Sequence, residues 1–342
     1  MTETSTQMRR EVLEIPNAVE QLLSEGAEAT KALATQVRDK DPRFLTSVAR
    51  GSSDHACTYL KYASELMLGL PMASVGPSVH SIYGAELKAK DALCLSVSQS
   101  GQSPDIVSMT SSLRRSGAMT IAITNNDASP LAQTSDAVLP LFAGPELSVA
   151  ATKTFVTSLV AGLTLIAEIK SDRDLLDAIM GLPKHLEAAT QCDWSDAADA
   201  IAGRSVFTLG RGPSWAISNE AALKFKETCL IHAESYSSAE VLHGPVSIVD
   251  RGFPVICFAA RDAAEHSLVE TANTLVDKGA QVFVTSSLAS SANTLPHVDT
   301  GHPLTDPIAA ITSFYGMVET LSRSRGINPD APRHLNKVTE TV

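Results

Sequence analysis

The stretch Ala92-Leu93-Cys94-Leu95-Ser96-Val97-Ser98-Gln99-Ser100-Gly101-Gln102-Ser103-Pro104 carries the fold decision. Ala92–Ser98 is a near-continuous apolar run of strand length, as expected of a strand buried on both faces of a parallel sheet. A polar Gln-Ser-Gly-Gln-Ser turn follows, and a helix opens at Pro104. Proline suits the first helical position, where its missing N–H would be unpaired anyway. Ser103 is a good N-cap candidate. The free N–H groups and dipole of such a helix end attract anions, and Ser98, Ser100, Ser103 and Gly101 add donors and room for close approach. From the local pattern the loop reads as a phosphate cradle or as a polar strand-to-helix turn with an ordinary cap. It lacks GxxxxGK[ST], so nucleoside triphosphate hydrolysis is not indicated.

Working outward, strand and helix alternate. Residues 10–40 read as a helical lead-in. Phe44–Ala49 reads as a strand, followed by the turn Gly51-Ser52-Ser53 and a helix from Asp54 to Leu68. Met72–Val75, Met119–Thr124 and Ala137–Leu141 read as strands, and a long helix is expected from near Ser148 to about Lys170. A charged, less regular stretch from Ser171 to Asp199 reads as a connection. The rhythm then restarts. Ser205–Leu209 is a strand, Gly210-Arg211-Gly212-Pro213-Ser214 a turn and Trp215–Leu230 a helix. Val255–Ala259 and Gln281–Thr285 are strands, and Ile308–Ser324 is the last helix. This pattern predicts an α/β protein with parallel sheets flanked by helices. Arg50-Gly51-Ser52-Ser53 and Arg211-Gly212-Pro213-Ser214 hold equivalent places in the two halves, the mark of a tandem duplication. Ala259-Ala260-Arg261-Asp262 stands in the second half where Ser98–Ser103 stands in the first. The neighbouring turns Gly51–Ser53 and Ser98–Ser103 would converge on one crevice at the carboxyl ends of their strands, which favours the cradle.

Composition narrows the partners. The 342 residues carry 27 basic and 38 acidic side chains, a formal net charge of −11, which argues against a nucleic-acid binder. An acidic chain needs a local device to capture an anionic metabolite. No stretch approaches the roughly 20 apolar residues of a membrane span. The first residues lack a secretory apolar segment, so a cytoplasmic location is expected. The five cysteines are scattered without a CxxC pair, so neither a disulfide framework nor a zinc site is indicated. No metal and no cofactor is expected.

Three further places carry chemistry. Glu220, Lys224 and Glu227 are spaced i, i+4, i+7 and share one helix face, which reads as a solvated charged stripe or as a reactive cluster. His243 precedes Gly244-Pro245 on a loop and is either functional or bonded to nearby backbone. Lys337 lies near the C-terminus, where a frayed basic tail is the ordinary reading.

At these residues the chain resembles the sugar isomerase (SIS) domain family, and within it the isomerase half of glutamine–fructose-6-phosphate amidotransferases. The matching stretches are RGSS at 50–53, SQSGQSPD at 98–105, GPELSVAATKTF at 144–155, LGRG at 209–212, NEAALKFKETCLIHAESYSSAEVLHGP at 219–245 and PRHLNK at 332–337. The resemblance implies two tandem SIS domains, each a flavodoxin-like three-layer sandwich: a lead-in over 1–40, domains over 41–180 and 195–327, and a tail over 328–342 folded over the active site. It implies that Ser53, Ser98, Gln99, Ser100 and Ser103 hold a sugar phosphate, that Gly51 and Ser52 shape the first loop, and that the Val149 backbone lies beside the sugar. Glu227 would move the proton between C1 and C2, with Lys224 near the sugar. His243 would open the sugar ring from the neighbouring subunit of a homodimer. Lys337 would form a Schiff base with the open-chain ketose, with Arg333 anchoring the tail. Glu234 and Glu240 would be supporting carboxylates. Ala151 departs from the serine usual in the family, which implies altered contacts to the sugar hydroxyls.

One carboxylate over two adjacent carbons can both remove and return the proton in aldose–ketose interconversion. Met1 is followed by threonine, not by the cysteine that the glutaminase part of those enzymes uses, so glutamine is not expected as nitrogen source. The expected partner is a phosphorylated hexose or hexosamine, and the expected reaction is deamination of glucosamine 6-phosphate to fructose 6-phosphate and ammonia. Two other readings stand beside it. One is a deglycase of 6-phosphorylated fructosamine-amino acids; the other is a non-catalytic sugar-phosphate sensor.

Overall fold

The computed structural model describes residues 5–203 and 205–337. These form two compact units. One comprises residues 17–146, 153–180 and 336–337; the other comprises residues 5–16, 147–152 and 181–335.

The first unit contains five parallel strands: β1 (Phe44–Val48), β2 (Met72–Ser74), β3 (Ala92–Val97), β4 (Met119–Thr124) and β5 (Ala137–Pro140), in the order β2-β1-β3-β4-β5. β3 is buried at every position, as its unbroken apolar run requires. Its core includes Val48, Cys94, Ile106, Met109, Leu113, Ala122 and Leu131, so the helix Pro104–Arg115 covers one face. The helices Ser52–Leu68 and Lys153–Lys170 pack on one another, with Gly162 letting the Leu60 side chain approach.

The second unit repeats this plan with β6 (Ser205–Gly210), β7 (His232–Ser237), β8 (Pro254–Phe258), β9 (Gln281–Val284) and β10 (Asn293–Thr294), all parallel, in the order β10-β9-β8-β6-β7. Read from the other edge, this is the order of the first sheet. The duplication extends to single dihedral angles. Gly51 (φ 56°, ψ −133°) precedes the 17-residue helix Ser52–Leu68; Gly212 (φ 58°, ψ −133°) precedes the 17-residue helix Pro213–Cys229. This backbone region is open to glycine and strained for other residues, so each half needs glycine there.

The structure corrects two sequence expectations and adds a strand to the second sheet. The long helix begins at Lys153, not near Ser148. The backbone N–H groups of Leu147 and Ser148, in the non-helical segment before it, donate to the carboxylate of Glu11. The stretch 171–199 is not irregular: it contains the helices Arg173–Met180, Leu182–Ala189 and Ser195–Ala200. Leu175, Ile179, Leu182, Leu186 and Ala189 supply their buried faces, while the charges that suggested a connection lie outside. The segment His232–Ser237, polar in composition, is a strand; it lies at a sheet edge, where fewer apolar residues are needed.

No helix among the described residues is long and apolar enough to cross a membrane.

Candidate functional site

In the first unit, β1 and β3 lie side by side with Val48 opposite Ser96. Gly51–Ser53 and Ser98–Ser103 therefore leave the sheet next to each other at its carboxyl end, where the strand order reverses and open α/β sheets hold ligands. The second loop is held from within and from beneath. Ser98 Oγ accepts from Gly101 N at 3.2 Å, and Ser100 Oγ accepts from Gln102 N at 3.3 Å. Gln99 O accepts from Asn125 N, and Gly101 O accepts from Leu131 N. Gly101 has φ 63°, and a Cβ there would come within 2.2 Å of Ser129 Oγ, so glycine is required both by conformation and by space.

Ser103 sits at the N-cap position with Pro104 after it, but its hydroxyl does not cap the helix. The Ile106 N–H is taken by its neighbour, Asp105 Oδ1, at 2.8 Å. The sequence expectation of an ordinary serine cap is corrected accordingly. Among the described residues, the hydroxyls of Ser53 and Ser103 and the amide of Gln99 have no hydrogen-bond partner, so they can serve a ligand.

In the second unit, Glu220, Lys224 and Glu227 come together on the helix Pro213–Cys229. Lys224 Nζ lies 3.0 Å from Glu220 Oε1 and 2.7 Å from Glu227 Oε2. Lys224 and Glu220 are fully buried; only Glu227 reaches solvent, with its side chain 21% exposed. This is not a solvated stripe. Tyr315 donates to Glu220 Oε1 at 3.2 Å from the helix Asp306–Ser324. Burial alone pushes the Lys224 pKa down, but the charges and hydrogen bonds of Glu220 and Glu227 outweigh it and hold the ammonium above the ordinary lysine range. The arrangement is a carboxylate held at the surface by an interior cation.

His243 ends the short 3-10 turn Val241–His243 and is exposed; its ring makes no hydrogen bond among the described residues. Glu234 accepts from Tyr236 Oη at 2.7 Å, a bond that pushes the phenol up to about 12. Glu240 is exposed. Val149 is half-buried in the segment whose preceding residues, Leu147 and Ser148, are held by Glu11. Glu11 is fully buried on the helix Gln7–Leu13, whose first N–H groups, from Gln7 and Met8, are both accepted by Asp330 at 2.7 Å.

Lys337 belongs to the first unit, where its Nζ lies 2.9 Å from Glu146 Oε2. The Glu146 side chain is fully buried and also accepts from Thr154 N (3.1 Å) and Thr154 Oγ1 (2.6 Å), in the first turn of the helix Lys153–Lys170. Lys337 is thus docked, not frayed. Arg333 is exposed and makes no ion pair among the described residues.

Sequence reasoning missed Glu11, Glu146 and Asp105. Glu146 and Asp105 stand inside quoted motifs, and a carboxylate next to a glycine-bearing loop and a helix start was the available signal. Glu11 gave none, because its partner is 136 residues away. No group of three or more His, Cys, Asp or Glu among the described residues is placed to hold a metal ion.

Comparison with known proteins bears on both halves. The SIS domain matches residues 41–168 and 201–321. The glutamine–fructose-6-phosphate aminotransferase (isomerizing) of Sulfolobus acidocaldarius is 30% identical over 98% of this chain, which covers 56% of that enzyme. The chain spans about half the length of the curated relatives it matches. A Silicibacter pomeroyi protein provisionally called a phosphosugar isomerase is 59% identical in a solved structure, with a TM-score of 0.93 over 95% of this chain and 100% of that one. Thermotoga maritima glucosamine-6-phosphate deaminase, 20% identical, shares the fold with a TM-score of 0.79 over 98% of this chain and 100% of its own.

Proposed function

Because the chain belongs to the SIS domain family, we propose that it is a phosphosugar isomerase acting on amino sugar phosphates, converting glucosamine 6-phosphate to fructose 6-phosphate and ammonia. The observation that carries this reading is the Glu220–Lys224–Glu227 arrangement. It presents a single carboxylate at the surface and fixes its position from the interior. A proton shuttle between adjacent carbons needs a base of defined position, ionised at neutral pH and able to give the proton back.

The roles divide as follows. Ser53, Ser98, Gln99, Ser100 and Ser103 hold the phosphate, with Gly51 and Ser52 shaping the first loop. Glu227 takes the C2 proton of the open-chain aldose and returns it at C1, leaving an imine at C2. Water adds to that imine, ammonia departs and the ketose remains. Lys224 does not touch the sugar in this reading; it orients Glu227. His243, supplied by the second copy of a homodimer, moves the proton that opens the ring. Lys337 and the Val149 backbone lie beside the sugar.

The experiment is a panel of 6-phosphorylated hexosamines and fructosamines, with ammonia and fructose 6-phosphate quantified. Glucosamine 6-phosphate is expected to release both in equal amounts. A folded chain that releases ammonia from no member of the panel overturns the reading. Release of an amino acid from fructosamine 6-phosphates in place of ammonia replaces deamination with deglycation.

A further inference from the structure

We infer that Arg50 is a further ligand-binding residue, whose guanidinium bridges the buried Asp105 to the phosphate group of the substrate. The inference rests on the cradle reading above and adds a residue and a directional fork of donors to it. Arg50 stands two residues past the end of β1, as Ser98 stands one past the end of β3, so it enters the turn that faces the Ser98–Ser103 loop. Its Nε donates to Asp105 Oδ2 at 2.7 Å, and its Nη2 meets the same oxygen. Asp105 has a fully buried side chain, and its other oxygen is taken by the Ile106 N–H. The carboxylate is therefore a fixed interior anchor, and it sets the plane of the guanidinium.

The Arg50 side chain is 43% exposed. Arginine has five N–H donors, of which two meet Asp105; the other three have no partner among the described residues. The rest of the cradle is neutral, made of hydroxyls, an amide and backbone N–H groups. A phosphate monoester carries roughly 1.5 to 2 negative charges at neutral pH, and the chain around it has a formal net charge of −11. A planar fork held by a buried carboxylate is the group that recognises phosphate in two bonds at once. Arg50 and Asp105 together are neutral, so the contribution is directional. Lysine at this place would keep the charge and lose the fork.

The test is titration calorimetry on the full chain with fructose 6-phosphate, inorganic phosphate and unphosphorylated fructose, for the parent and for Arg50→Lys and Arg50→Met, with the melting temperature of each. Both variants are expected to bind fructose 6-phosphate and inorganic phosphate about 10- to 100-fold more weakly, the range of one lost charge-assisted pair. KM is expected to rise by a similar factor, with kcat kept. Unchanged phosphate affinity in folded Arg50→Met, with a lowered melting temperature, overturns the inference and leaves Arg50 a tether between loops. A parent chain that binds neither phosphate ligand overturns the cradle itself, and Arg50's role with it. Should Arg50→Met not fold, Arg50→Lys decides by the same criterion.

Discussion

The Nζ of Lys224 lies 2.7 Å from Oε2 of Glu227, and of the two only the carboxylate reaches solvent. The lysine has a second buried partner, Glu220, so the group that faces outward is positioned by two that do not. Glu227→Gln keeps the shape and a hydrogen-bonding oxygen but removes the base. Turnover is expected to fall by about 10²- to 10⁴-fold, with sugar-phosphate affinity retained. Proton exchange at C1 and C2 in deuterated water, followed by NMR, checks this independently of ammonia release.

Lys224→Met leaves Glu220 buried with Tyr315 but without its cation. Removing one partner of a buried ion pair costs about 3–5 kcal/mol. The double variant Glu220→Gln/Lys224→Met is expected to recover most of that loss. Urea denaturation of the three chains gives the comparison.

Alkaline pH acts through the thiols. Burial raises the pKa of Cys57, Cys94 and Cys257, and raises Cys229 to about 11. A folded pKa above the unfolded one means stability is fully present below the unfolded value, about 8.5, and is lost as pH rises through the folded value. Each such thiol removes about 1.4 kcal/mol per pH unit within that window. The urea midpoint is therefore expected to fall above about pH 9, and Cys57→Ala/Cys257→Ala to flatten the fall. Cys192, the one cysteine that is not buried, is expected to react with iodoacetamide first.

Glycine substitutions separate conformation from space. A Cβ at Gly51 meets nothing within 4 Å, so Gly51→Ala bears only its backbone cost, about 1–3 kcal/mol. Gly101→Ala bears that and a collision with Ser129. Thermal melts should rank Gly101→Ala as the more destabilised, and its phosphate binding should be lost first.

At the tail, Glu146→Ala and Lys337→Ala should differ. Glu146 holds Thr154 by two hydrogen bonds as well as Lys337, and its loss is expected to cost about 2–3 kcal/mol. Lys337 is a quarter exposed, and Glu146 keeps both Thr154 bonds in its absence, so its removal should cost less, about 1–2 kcal/mol. Hydrogen exchange at the Thr154 amide reads the difference directly.

The fold was legible because its signals are local. An apolar run of strand length, a glycine-bearing turn and a helix start recur in both halves. The matching dihedrals of Gly51 and Gly212 show that the repeat seen as Arg-Gly in the sequence is a repeat of backbone geometry. The spacing of Glu220, Lys224 and Glu227 placed them on one face for the same reason, since helix periodicity is a property of the chain alone.

Burial is not such a property. Whether that face met solvent or the core depended on Tyr315, 95 positions from Glu220, and on the helix that carries it. The segment before the long helix, which starts at Lys153 and not near Ser148, is bound by Glu11, 136 residues upstream, a contact with no local signal. Lys337 reads as a loose terminus until Glu146, 191 residues away, appears beside it. The sequence by itself determined the order of elements and which residue types stand at each turn. The tertiary structure decided which charges are compensated in the interior, because compensation depends on distance in space and not along the chain.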